Sequence, residues 1–415
     1  MSVIALVGFG TVALLATLLL HGYLWFRLVR GTTRPGRLRR RLTMLSLLLA
    51  LLPALALGLR RTLPLDAAAP LDWVAYCWLG VAFYAFISLL VLEPVRLVGN
   101  AVLRRRARAP ELVPAATVPV EDPGPGPDPG DAADPSRRLF LARGLALTAG
   151  AVALGTAGTG AYFANSPPVV RRVPVTLAGL DPALDGMRIV TFSDGHLSAT
   201  YGGRRFERLV ELVNEQRPDV VAIVGDLVDG DVSELREEAA PLADLVSEQG
   251  VYFVTGNHEY FVDTNAWLRH LPTLGVDVLR NERVAIGRGG ATFDLAGVDD
   301  RTAASSGLPG HGANLDAALD GRDDSIPVVL LAHQPVLVEQ ASAAGVDLQL
   351  SGHTHGGQLW PFDYVIRLDQ PSVEGLSRHG DTQLYVTSGA GYWGPPMRVG
   401  ARPEVTVVEL RAPRG

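Results

Sequence analysis

Charged positions vanish from four stretches of the N-terminal part of the chain: Ser2–Phe26, Leu42–Leu59, Trp73–Leu92 and Gly144–Phe163. A helix rises about 1.5 Å per residue, and a hydrocarbon core of roughly 30 Å takes about 20 residues. Each stretch therefore reads as a membrane-crossing helix. Leu42–Leu59 is the shortest and holds Pro53, and Gly144–Phe163 is softened by Gly, Ala and Thr. The segment Arg27–Arg41 has seven Arg and no acid, and Arg96–Arg108 has five Arg and no acid. The intervening loop Arg60–Asp72 is balanced in charge. The positive-inside rule puts the two Arg-rich segments in the cytoplasm, so the fourth helix carries the chain out again.

Between the third and fourth stretches, residues 109–135 are dense in Pro, Gly, Asp and Ala and show no apolar period. Such a segment cannot bury a core and reads as a disordered linker. It leads into Ser136-Arg137-Arg138-Leu139-Phe140-Leu141. That run is similar to a twin-arginine export signal, an address read by an export machinery, followed by a soft apolar anchor. The expected organisation is three transmembrane helices with Arg-rich cytoplasmic loops in 1–108, the linker 109–135, an export-like motif and signal anchor in 136–164, and one extracytoplasmic domain in 165–415.

From Arg188 the period changes. Short β-branched runs appear at Ile189–Phe192, Val220–Val224, Val251–Thr255, Val328–Ala332 and Leu348–Leu350, with helical stretches such as Arg205–Glu215 and Ser233–Glu248 between some of them. Strands alternating with helices predict an α/β sandwich around a buried sheet. Thr292–Val298, Gln383–Thr387 and Val405–Leu410 lack long intervening helices and predict a second sheet with antiparallel pairing.

Charge narrows the chemistry. The first 164 residues carry 17 Arg against 9 acidic residues, whereas the remainder carries 20 Arg against 34. An acidic domain does not suit nucleic acid, although a small phosphorylated molecule can bind where metal supplies positive charge. The chain has no lysine, which excludes a P-loop lysine and a Schiff base. Its single cysteine, Cys77, lies in an apolar run, so thiolate metal sites are excluded as well.

Five polar clusters follow the β runs: Asp194-Gly195-His196, Gly225-Asp226-Leu227-Val228-Asp229, Gly256-Asn257-His258-Glu259, His333-Gln334-Pro335 and Gly352-His353-Thr354-His355. Strand C-terminal ends gather ligands in α/β folds. In an extended segment Asp194 and His196 project to one side and can share a cation, as can His353 and His355. The glycines at 225, 256 and 352 allow sharp turns. Imidazoles, carboxylates and one amide oxygen suit Mn, Fe or Zn. Five of the nine histidines fall in these clusters.

Assembled in order, D-x-H, G-D-x-x-D, G-N-H-E, a lone H and G-H-x-H resemble the calcineurin-like metallophosphoesterases over about Arg188–Leu410. His355-Gly356-Gly357-Gln358, Trp360-Pro361-Phe362 and Gly389–Arg398 are similar to the membrane-associated bacterial branch typified by YkuE and YaeI. The resemblance implies a four-layer α/β (α+β) sandwich of two mixed sheets flanked by helices. It implies two divalent or transition metal ions, one held by Asp194, His196, Asp226 and His355, the other by Asp226, Asn257, His333 and His353. Asp226 would bridge them, and His258 would contact the phosphate and assist the leaving oxygen. Asp229 and Glu259 would support from behind. The implied activity is hydrolysis of a phosphodiester, pyrophosphate or phosphomonoester by metal-activated hydroxide, on a lipid- or sugar-linked substrate of the cell envelope. The alternatives are a UDP-2,3-diacylglucosamine pyrophosphatase-like activity and a retired metal-binding or sensory scaffold. The stretch Tyr392–Arg398 reads either as a plain Gly-Pro loop or as a pocket wall with Arg398 near a phosphate.

Overall fold

The computed structural model describes residues 3–60, 62–108 and 135–413, and the chain divides into two units. One unit combines Thr11–Leu55 with Trp78–Ala157; the other combines Met1–Gly10, Ala56–Cys77 and Gly158–Gly415.

The apolar stretches are helical: α1 (Val3–Leu24), α2 (Arg37–Leu59), α3 (Leu65–Val91) and, after α4 (Glu93–Arg108), α5 (Pro135–Ala164). Among the described residues, three helices are long and apolar enough to cross a membrane: Arg37–Leu59, Leu65–Val91 and Arg137–Ala164. Of α1, the side chains of residues 3–10 and 13 lie outside the described residues. α3 starts well before the predicted Trp73, so most of the expected 60–72 loop is helix. Ala67, Ala68 and Ala69 favour that extension. The predicted linker lies outside the described residues except for Pro135, which opens α5. Within the helical unit, Trp78 Nε1 donates to His21 Nε2 at 3.0 Å, and Glu93 pairs with both Arg27 and Arg96.

The second unit holds twelve strands in two six-stranded sheets. The first has the order β1 (Val169–Thr176), β12 (Glu404–Arg411), β2 (Arg188–Phe192), β3 (Val220–Val224), β4 (Val251–Val254), β5 (Val276–Val278). The second has the order β10 (Gly375–His379), β11 (Thr382–Val386), β9 (Leu348–Ser351), β8 (Val328–Leu331), β7 (Ala291–Gly297), β6 (Glu282–Arg288). β2 to β5 run parallel, as do β7, β8, β9 and β11; β12 is antiparallel to β2, and β6 and β10 close the second sheet antiparallel.

Alternation along β3 shows how the layers form. Val220, Ala222 and Val224 pack between the sheets with Leu295, Val329 and Leu350. Val221 and Ile223 face the other way, onto Phe206, Leu209, Val210 and Val213 of α6 (Arg204–Glu215). Those four sit at i, i+3, i+4 and i+7, one helical stripe. Burying each is worth about 1.5–3 kcal/mol. The second sheet is backed by the short helices Leu315–Leu319 and Val338–Ala343, through Ala318 and Ala341 packed with Val328 and Leu330. The result is a four-layer α/β/β/α sandwich, as the family resemblance implies.

Three expectations need correction. The helix expected at Ser233–Glu248 is α7 (Val232–Ala239), followed by a 3-10 turn at Ala240–Asp244. Pro241 has no N–H for the helical ladder, which ends α7. Glu404–Arg411 joins the first sheet, between β1 and β2, instead of the second. Thr382–Val386 pairs parallel to β9 and antiparallel only to β10.

Candidate metal centre

β2, β3 and β4 are adjacent and parallel in one sheet, and β8 and β9 in the other. Their C-terminal loops therefore emerge together, and the five polar clusters meet there. The ligating atoms of Asp194, His196 and His355 lie within 4.8 Å of one another, and so do those of Asp226, His333 and His353. A third such group, His196, Asp226 and His258, links the two. Asp226 Oδ2 is 3.1 Å from His333 Nε2 and 3.9 Å from both His196 Nε2 and His258 Nε2. His196 Nε2 and His355 Nε2 are 3.0 Å apart, aimed at common space. The Asn257 Oδ1 is buried without a hydrogen-bond partner. Buried polar atoms are nearly always satisfied, so an orphaned amide oxygen among imidazoles and carboxylates fits a cation ligand. The donor set suits a pair of divalent metals.

The backbone departs from the extended form expected for the D-x-H and H-x-H segments. Asp194, His196, Asp226, His353 and His355 have φ of 53°, 47°, 52°, 72° and 53°. In this left-handed region, alternate side chains do not share a face as they do in a strand. Asp194 and His196 still meet, but His353 and His355 part, one to each cluster. The glycines also divide by reason. Gly225 has φ +75°, and a Cβ there would lie 2.7 Å from Gly256 and from His333 Nδ1. Gly256 and Gly352 need no unusual φ; a Cβ at either would strike Asp226 or Ser193 and Asp194.

A second ring of contacts orients the ligands. His333 Nδ1 donates to the Val224 carbonyl at 2.8 Å, leaving Nε2 for the cluster. Asp229 Oδ1 accepts from His196 Nδ1 at 2.9 Å and from His258 Nδ1 at 2.7 Å. Such partners fix the tautomer and ring orientation of metal-binding histidines. The Glu259 carboxylate accepts from the backbone N–H groups of Asp226, Leu227, Val228 and Gly256. It ties the loop after β3 to the loop after β4. Ser193, which the sequence reading passed over, donates Oγ–H to Asp194 Oδ2. His258 is flanked by Phe261 and Trp393, with ring centroids 5.0 and 5.5 Å away.

Burial and crowding set the charges. Burial alone would raise the Asp229 carboxyl, but His196 and His258 pull it well below the usual carboxylate range. Burial opposes protonation of His258, yet Asp226 and Asp229 lift it to about 9. Burial and Asp226 push Glu259 up to about 7. Burial and His333 bring His353 down to about 3. A bound cation favours neutral imidazole and charged carboxylate, so metal binding releases protons from this cluster.

Arg398 spends its donors on backbone carbonyls. It is fully buried, and its guanidinium donates to the carbonyls of His355, Ser388, Gly389 and Gly391 at 2.5–3.3 Å. Burial lowers it only to about 10, so it stays charged. It works as a clamp on backbone carbonyls. An arginine among glycines was visible in the sequence; its burial and direction were not.

Residues 187–357 match the family model described as calcineurin-like phosphoesterase. A "transmembrane protein with metallophosphoesterase domain" from Danio rerio is 42% identical over 259 residues, covering 61% of this chain and 59% of the relative. The Bos taurus protein of the same description is 41% identical over 289 residues, covering 67% and 64%. The "uncharacterized metallophosphoesterase YkuE" of Bacillus subtilis is 32% identical over 291 residues, covering 67% of this chain and 98% of the relative. The chain thus spans less than two thirds of the length of the two vertebrate relatives.

Proposed function

The chain belongs to the calcineurin-like metallophosphoesterases, and from that membership and the site's geometry we propose that it is a membrane-anchored, dinuclear-metal phosphoesterase. Its reaction is hydrolysis of a phosphodiester, pyrophosphate or phosphomonoester, on a lipid- or sugar-linked molecule of the cell envelope. The observation that carries the reading is the pair of three-residue ligand groups with Asp226 in reach of both. One metal falls to Asp194, His196, Asp226 and His355, the other to Asp226, Asn257, His333 and His353, with Mn, Fe or Zn the fitting ions. When bound, the metals supply Lewis-acid charge and lower the pKa of water toward neutrality.

The protein's own groups do the rest. Asp229 holds Nδ1 of His258, so Nε2 is the nitrogen left to face the phosphate. From there it can pass a proton to the leaving oxygen, with the Asp229 carboxylate on the other side of the ring to orient it. Phe261 and Trp393 flank the His258 ring beside that path. Glu259 and Arg398 fix the loops that carry Asp226 and His355.

The membrane part of the reading is multi-pass, with the catalytic domain outside the cytoplasm and the Arg137-Arg138 motif addressing the twin-arginine export machinery. In its support, the stretch 56–77, which contains the 60–72 segment assigned outside by arginine distribution, forms one unit with 158–415. Two relatives are also named as transmembrane proteins.

The test uses the full chain in detergent, stripped of metal, with chromogenic phosphomonoester and phosphodiester substrates and Mn, Fe, Zn or Mg added back. Metal-dependent turnover, sharply reduced in His258→Ala at unchanged metal content, is the expected result. A folded protein with two metals bound and no turnover on either substrate would overturn it.

A further inference from the structure

Six large apolar side chains stand exposed around the mouth of the metal centre: Phe261, Trp360, Phe362, Val365, Leu368 and Trp393, each 47–87% accessible. The 360–368 part of this rim packs beside the loop that carries His355, where a Cβ on Gly357 would lie 2.6 Å from Asp363 Cβ. Phe261 and Trp393 touch the His258 ring. Trp393 exchanges backbone hydrogen bonds with the Gln358 side chain at 3.0 and 2.8 Å, and Trp360 N–H donates to Val399 O at 2.8 Å. The segment Trp360–Leu368 follows His355 directly in the chain. Water-soluble surfaces rarely expose apolar patches of this kind without a partner.

The occupant can be read from what enters beside the rim. The end of α5 within this unit, Gly158–Ala164, packs on Met397–Val399, the same strip that holds Trp360. Arg398 N–H donates to Gly160 O at 2.9 Å, and a Cβ at Gly160 would lie 3.3 Å from Met397 Cβ. Tyr162 on this end is exposed. α5 is one of the helices long and apolar enough to cross a membrane, and only residues 165–168 separate it from β1. A tether that short keeps the domain close to any bilayer that α5 crosses. Trp and Tyr are enriched at the level of lipid headgroups, where a ring can be apolar on one side and wet on the other. The exposed Arg367 beside Leu368 can lay its stem along lipid while its guanidinium meets headgroup phosphate.

We propose that the rim Phe261–Trp360–Phe362–Val365–Leu368–Trp393 is a membrane-docking surface, seated in the headgroup region of the bilayer that α5 crosses. The mouth of the metal centre then opens onto lipid headgroups. The phosphoester it takes is carried by a bilayer-embedded molecule and enters sideways along the surface. The docking surface stands on the rim and the tether alone, so it can fail while the phosphoesterase reading survives, and the reverse.

The experiment places a nitroxide label on the full chain in vesicles of phosphatidylethanolamine and phosphatidylglycerol, in a Cys77→Ser background. The labelled variants are Leu368→Cys, Val365→Cys and, as control, Val246→Cys. Val246 is exposed but precedes β4, at the end of the sheet away from Asn257 and His258. Collision rates with oxygen, which partitions into lipid, and with a water-soluble nickel complex are compared. The expected result is an oxygen-to-nickel ratio severalfold higher at 365 and 368 than at 246. Equal ratios at all three positions overturn the proposal. So does spectral broadening at 365 and 368 that fades when labelled protein is diluted with unlabelled, since a second copy of the chain would then cover the rim.

Discussion

Asp229 offers the sharpest perturbation, because one oxygen serves two imidazoles with different tasks. Its Oδ1 accepts from His196 Nδ1 at 2.9 Å and from His258 Nδ1 at 2.7 Å, and the side chain is 9% exposed. In Asp229→Asn the amide oxygen can occupy the same place, so both bonds survive and only the charge is lost. A hydrogen bond to a charged group contributes roughly 1.5–3 kcal/mol net, and a neutral one about 0.5–1.5. The loss is therefore about 1 kcal/mol per bond, or about fivefold at tenfold per 1.4 kcal/mol. The two losses separate by readout. The His196 share weakens metal binding, measured by calorimetric titration of the stripped full chain with Mn or Zn. The His258 share lowers kcat on a chromogenic phosphodiester at saturating metal. Asp229→Ala removes both bonds, and loss of such partners typically lowers affinity or activity by about 10–100-fold. If Asp229→Ala bound metal and turned over within twofold of the parent, the assignment of Asp229 as the orienting group would be wrong.

Three further perturbations follow from the same geometry. Asp226→Ala is expected to take metal content from two ions toward none, counted by elemental analysis, whereas retention of two would refute the bridge. Gly256→Ala drives a Cβ into the Asp226 carboxylate and backbone. Overpacking of this kind destabilises by about 1–3 kcal/mol, so the thermal midpoint should fall with metal affinity, and a parental midpoint would contradict the contact. Arg398→Lys keeps the charge but puts three donors on a single nitrogen, which cannot reach the four carbonyls that the guanidinium spans. A buried carbonyl left unpaired destabilises by roughly 1–3 kcal/mol. A lowered melting temperature and weaker binding at the cluster containing His355 are expected, and a melting curve matching the parent would show that the clamp is dispensable.

Much of the fold could be read from period alone. β2, β3, β4, β8 and β9 are buried on both faces, so their β-branched runs stand out against polar flanks. β1, β5, β6 and β10 were missed because they lie at sheet edges, each with solvent-facing residues and with Arg, Asp or Glu among them. β12 was found but assigned to the wrong sheet. Its partner β2 lies more than 200 residues away in the chain, and periodicity carries no information on such pairing. The residues that meet in the candidate metal centre were legible because ligand chemistry restricts residue type. Asp229 and Glu259 could be suspected, but not what they hold, since hydrogen-bond direction depends on the folded backbone. Arg398 stayed open between two readings for the same reason: a lone arginine in a Gly-Pro loop can be an anion ligand or a loop residue until its donors are traced to carbonyls.

The backbone of the site explains why so large a scaffold surrounds so few ligands. Among the described residues, eight non-glycine positions have positive φ, and five of them are Asp194, His196, Asp226, His353 and His355. Each such residue costs about 1–2 kcal/mol relative to ordinary backbone. Five together cost about 5–10 kcal/mol, which is comparable to the whole net stability of a domain. Glycine would relieve the strain at each position but would bring no ligand. The strained turns are instead held by hydrogen bonds across strands: Asp194 N–H to Gly225 O, His196 N–H to Asp226 O, Gly352 N–H to His333 O. Those bonds exist only while β2, β3, β8 and β9 keep their parallel register. The two sheets and their helical covers therefore serve the site chiefly by making five unfavourable conformations the best available, and the clustering of strain on the candidate ligands sets the site apart independently of any motif.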